Sequence, residues 1–155
     1  MSERYFPFRL CGAVALVAIA ATLSGRAAPG IEPTVEELKA RLSSSSGGDR
    51  PHLCVQIAER QLAAADKLYA DADNDKAQPA LTDVVAYSEL ARDYAIQSHK
   101  REKQTEIAVR GMMRKLTEIM HSLGQADQPP VRDAINRLQR VRDDLLAAMF
   151  RKGAQ

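Results

Sequence analysis

The chain reads as all-α, with antiparallel helical hairpins built on one long central helix. Three features of the sequence predict this. After an apolar N-terminal segment, Gly and Pro collect at only a few places, and between those places apolar residues recur every three or four positions. With no Trp and few aromatics, the core must come from Leu, Ile, Val, Ala and Met, and residues 28–155 suit a single domain.

Residues 1–27 read as a signal peptide and not as part of the fold. Arg4 and Arg9 form a positive start, Leu10 to Leu23 is an uncharged apolar run, and Ser24, Gly25, Arg26 and Ala27 form a small-residue exit. Gly25 and Ala27 place cleavage between Ala27 and Ala28. The run of 14 residues is shorter than the ~20 a helix needs to span the hydrocarbon core, so membrane attachment is expected only if this segment is retained. The expected location is periplasmic or secreted.

Residues 28–48 are expected to hold a short helix and a flexible linker, followed by a helical domain over 49–152. Thr34 and Glu37 form a capping box, and Val35, Leu38 and Leu42 share a face. Ser43 to Gly48 is a Ser/Gly run that buries nothing. Asp49 and Pro51 start the next helix, which carries Leu53, Ile57, Ala58, Leu62, Ala65, Leu68 and Tyr69 on one stripe to about Ala72. Asp71, Asp73 and Asp75 form an acidic turn that supplies its own caps, and Pro79 is expected in the first turn that follows.

From about 76 to 123 a seven-residue repeat runs without a breaker, through Leu81, Val84, Ser88, Ala91, Ala95, Ser98, Glu102, Thr105, Val109, Met112, Leu116, Ile119 and Leu123. A continuous helix of that length would extend roughly 70 Å at ~1.5 Å per residue. The chain would then be S-shaped, with the second helix on one half of the long one and the last helix on the other. The alternative bends the chain near 97–106, where the seam turns polar, and closes a compact four-helix bundle. The unbroken helix is the preferred expectation, because Gln97 to Glu106 holds good helix formers and neither Gly nor Pro. Gly124 ends this stretch, and Asp127, Pro129 and Pro130 open a last helix with Val131, Ile135, Leu138, Val141, Leu145 and Met149 on one face.

Once residues 1–27 are set aside, basic and acidic side chains balance at 19 each. Their distribution does not: residues 28–99 hold 7 Lys/Arg against 12 Asp/Glu, and residues 100–155 hold 12 against 7. An extended molecule would carry a long dipole and could align antiparallel with a second copy as a weak homodimer, with Lys100, Arg101 and Lys103 as the interaction surface. Cys54 is the one cysteine beyond the signal segment, and its neighbours Leu53, Ile57 and Ala58 favour burial over pairing between chains.

No catalytic set, cofactor motif or metal site is expected. Asp71, Asp73 and Asp75 are spaced like calcium-loop ligands, but Lys76 stands where Gly is needed and Thr82 where a bidentate Glu belongs. Met112, Met113, Met120 and His121 could form a soft copper site, yet Met112 lies on the apolar seam. His52, His99 and His121 are scattered, and Glu102 and Glu106, flanked by Lys100, Lys103 and Arg110, read as a solvated face. The basic cluster that adds Arg101, Arg114 and Lys115 suggests no nucleic acid in an exported chain.

Ala64, Ala65, Leu68, Ala77, Leu81 and Val84 stand at spacings that resemble a tetratricopeptide hairpin. Gln61 replaces the usual aromatic, no Pro closes the unit at Glu89, and positions 34 residues further on do not repeat the core. The resemblance therefore covers one αα-hairpin. The whole chain resembles small exported helical proteins of bacteria with no assigned activity. The functional expectation is a non-enzymatic interaction or scaffold protein of the cell envelope that binds an unknown protein partner; the alternative is a chaperone-like or stress-related ligand binder.

Overall fold

A computed structural model describes residues 32–153, with side chains to Arg151. These residues form α1 (Val35–Ser44), a single 3-10 turn (Gly47–Asp49), α2 (Arg50–Ala70), α3 (Asn74–Ser98), α4 (Glu102–Ser122) and α5 (Gln128–Gly153), with no strand among them. The all-α class is as expected. The expected signal peptide and its Ala27/Ala28 junction lie outside the described residues.

The capping box forms as the sequence predicts: Glu37 N–H donates to Thr34 Oγ1 at 3.2 Å, and Thr34 N–H donates to Glu37 Oε2 at 2.9 Å. Leu38 is fully buried, so α1 docks on α2, and Glu32 pairs with Arg60 beside it. At the next turn the structure departs from expectation. Asp73 precedes α3 without a side-chain cap; its carboxylate instead accepts from Lys76 Nζ at 2.6 Å. Pro79 falls in the second turn of α3, where its missing N–H leaves Asp75 C=O without the usual helical donor.

The main correction concerns the central helix. It is not continuous: α3 stops at Ser98 and α4 starts at Glu102, with His99 and Arg101 both left-handed at φ 55° and 62°. His99 N–H donates to Ile96 O at 3.3 Å and Lys100 N–H to Ala95 O at 3.2 Å, a Schellman ending made without Gly. The same two bonds end α2, where Ala72 is the left-handed residue. Each left-handed non-Gly residue costs about 1–2 kcal/mol. Packing outweighs this cost, because burying one Val, Leu, Ile or Met side chain contributes about 1.5–3 kcal/mol. Folding at 99–101 brings Val109, Met112, Leu116 and Ile119 of α4 into one core with Leu62, Leu81, Val84 and Leu138. The heptad seam is thus a true core stripe, shared by two helices.

The bundle is formed by two antiparallel hairpins, α2/α3 and α4/α5. Glu89 meets Arg137 and Arg92 meets Asp144, so α3 and α5 run side by side in the same direction. Ser43 to Gly48, the expected linker, finishes α1 and enters the 3-10 turn through Gly47 at φ 56°. That turn seats the α3/α4 break. A Cβ on Gly48 would lie 2.5 Å from Lys100 Cδ, and Arg101 Nε donates to Gly48 O at 3.1 Å.

Candidate functional site: an arginine groove over a buried carboxylate

Two of the three residues expected to form an interaction surface are engaged within the chain. Lys100 lays its stem on Gly48, and Arg101 reaches Gly48 O and comes within 3.7 Å of Asp49. Lys103 is exposed on the first turn of α4. The charge asymmetry is also used internally. Lys115 meets Asp66 at 2.9 Å, and Arg137 forks onto Glu89 at 2.8 and 3.0 Å, so the basic hairpin closes on the acidic one. The hydrogen bond that Lys115 donates to Asp66 holds its ammonium above the ordinary pKa. With the halves folded together, the extended dipole that motivated antiparallel self-association is not available.

Glu102 and Glu106 correct a second expectation. Both are buried, at 7% and 6% exposure, and not solvated. The winding of α4 places Glu106 on the flank facing α5, where Arg142 Nε donates to its Oε1 at 2.8 Å. Arg110, one turn along, lies 3.8 Å from the same carboxylate. Glu102 lies 3.8 Å from His99 Nδ1 at the break.

Above this buried carboxylate, α4 and α5 bound an open groove of about 500 Å³, lined by Arg110, Met113, Arg114, Thr117, Glu118 and Arg142. Arg114 has no ion-pair partner among the described residues, whereas Glu118 turns toward Lys115 at 3.9 Å. Thr117 donates its hydroxyl to Met113 O at 2.9 Å and so offers the groove no free donor. Guanidinium groups around an apolar floor suit an anion that carries hydrocarbon. Sequence reasoning missed this site; the four-residue spacing of Glu106, Arg110 and Arg114 is the signal that could have shown half of it. Arg142, from the other helix, carried no local signal.

The remaining candidates fall elsewhere. Met112 is buried in the core, Met113 lines the groove, Met120 packs against the core and His121 is exposed. Among the described residues, no three His, Cys, Asp or Glu side chains are grouped to hold a metal ion, and no helix is long and apolar enough to cross a membrane. Cys54 is buried, and desolvation pushes its thiol up to about 12, so the described fold does not present it for pairing with another chain. No family model, curated protein or solved structure matches this chain.

Proposed function

We propose that this chain is a non-enzymatic helical interaction protein of the bacterial cell envelope, exported by its N-terminal segment, and that it engages its partner through the arginine groove. The observation that carries this reading is the cluster of Arg110, Arg114 and Arg142 around Met113 on the α4/α5 face. Arg and Met are both enriched in interface cores, and a recognition surface on packed helices keeps its geometry. The envelope assignment rests on Arg4, Arg9 and the apolar run that follows them. In a cross-linking pull-down from native envelope, the wild type should retain a partner that an Arg110→Glu/Arg114→Glu variant loses. Identical capture by both proteins would overturn the reading.

A second reading, a ligand-binding helical protein of the same compartment, is favoured by the size of the groove. Its volume of about 500 Å³ falls within the range of roughly 300–1,000 Å³ typical of small-molecule sites.

A further inference from the structure

We propose that the α4/α5 groove binds a monoanionic amphiphile, with a carboxylate head between Arg110 and Arg114 and a hydrocarbon chain over Met113. This rests on the reading of the groove as the functional surface, and adds the class of ligand.

Charge selects a single anion. The groove and the carboxylate beneath it bring together Arg110, Arg114 and Arg142 against Glu106 and Glu118, an excess of one positive charge. One carboxylate neutralises it, whereas a dianion or a polyanion would bring more negative charge than this excess answers. Position then selects where the head sits. Arg142 is already held by Glu106 at 2.8 Å, while Arg110 makes only a 3.8 Å contact and Arg114 has no ion pair among the described residues. Arg110 and Arg114 are one helical turn apart, about 5–6 Å between Cβ atoms, so their guanidinium groups can converge on one carboxylate. At the other end Glu118 repels a second anion and orients the ligand.

The floor selects hydrocarbon. Thr117 has given its hydroxyl to the helix backbone, and Met113 is a flexible, polarisable side chain that adapts to an irregular apolar chain. An inorganic anion would leave this floor uncovered, and a neutral hydrocarbon would leave two guanidinium groups unanswered. The ligand therefore has both parts.

The probe is dodecanoate, kept below its micellar concentration, titrated into the full chain by calorimetry while the 13C-methyl resonance of Met113 is followed by NMR. Saturable binding of one molecule per chain is expected, with a shift at Met113. Dodecanol, which lacks the charge, should bind about tenfold more weakly or worse, as should dodecanoate to Arg110→Gln/Arg114→Gln, the loss of a charge-assisted contact. Lys103→Gln, outside the groove, should bind normally. Absence of saturable binding, equal binding of dodecanol, or an affinity unchanged in the double variant would overturn the proposal. Loss of the envelope partner in the charge-reversed variant, together with no dodecanoate binding, would overturn the ligand class and leave the groove as a protein-docking surface. A urea midpoint only slightly lowered in the double Gln variant, as expected for the loss of one exposed pair to Glu106, separates loss of the site from loss of the fold.

Discussion

Replacing Arg142 with Met should be among the more damaging single changes on the surface of this bundle, and the structure fixes why. Glu106 is 6% exposed and, among the described residues, takes one direct side-chain hydrogen bond, from Arg142 Nε at 2.8 Å. Without Arg142 the carboxylate keeps only Arg110 at 3.8 Å, an i, i+4 pair whose basic side chain is 53% exposed. Such pairs contribute about 0.3–0.5 kcal/mol. Removing one partner of a fully buried pair costs about 3–5 kcal/mol, and a charge-assisted hydrogen bond contributes about 1.5–3. Because the Arg142 side chain is itself 30% exposed, the lower part of these ranges applies, and the expected loss is about 2 kcal/mol. That corresponds to a fall in Tm of about 6–12 °C for a domain of this size. Urea denaturation measures it directly. Glu106→Met should cost less, since the freed guanidinium can reach water, and the double variant Glu106→Met/Arg142→Met should recover most of the loss. An Arg142→Met variant within about 0.5 kcal/mol of wild type, or a double variant as unstable as that single one, would refute the picture of a buried carboxylate held by one arginine.

Other consequences are checked with the same unfolding assays. His99→Gly should stabilise the chain by up to about 1 kcal/mol by relieving a left-handed His, whereas His99→Val should destabilise it. Gly48→Ala should destabilise through its 2.5 Å approach to Lys100 Cδ, and Lys100→Ala should relieve that penalty, giving non-additive unfolding midpoints. Tyr69 buries a hydroxyl that has no partner among the described residues, so Tyr69→Phe should leave stability unchanged or raise it, and a clear loss would contradict the placement. Burial raises the Cys54 thiol from 9.0 to about 12, so its contribution to stability is full below pH 9 and is lost as pH rises toward 12. Alkylation of Cys54 at pH 9 should therefore track global unfolding, and rapid labelling of the native protein would count against a buried thiol.

The sequence revealed the faces of the helices better than their ends. The capping box at Thr34, the stripe from Ile57 to Tyr69 and the seam from Leu81 to Ile119 were legible because each repeats the period of one helix locally. The break at 99–101 was not, because it is made without Gly or Pro; it comes from tertiary burial and from contacts with Gly48, about fifty residues earlier. Glu106 misled for the same reason. Its sequence neighbours are basic, as on a solvated face, while the residue that decides its environment, Arg142, lies on α5. The arginine groove was missed, although Arg110 and Arg114 share a row, because Arg142 joins them only after the hairpin closes.

The fold at residues 99–101 is the step on which the shared core, the internal use of charge and the seating of the 3-10 turn against Lys100 and Arg101 depend, and one distance tests it. Spin labels at Gln78 and His121, both exposed and near opposite ends of the 76–123 stretch, can be placed in a background with Cys11 and Cys54 replaced by Ala. With helices of one bundle packed 8–10 Å apart, double electron–electron resonance should give a single distance of roughly 20–30 Å, label tethers included. A continuous helix would separate the two sites by roughly 65 Å, and a distance near that value would contradict the bundle.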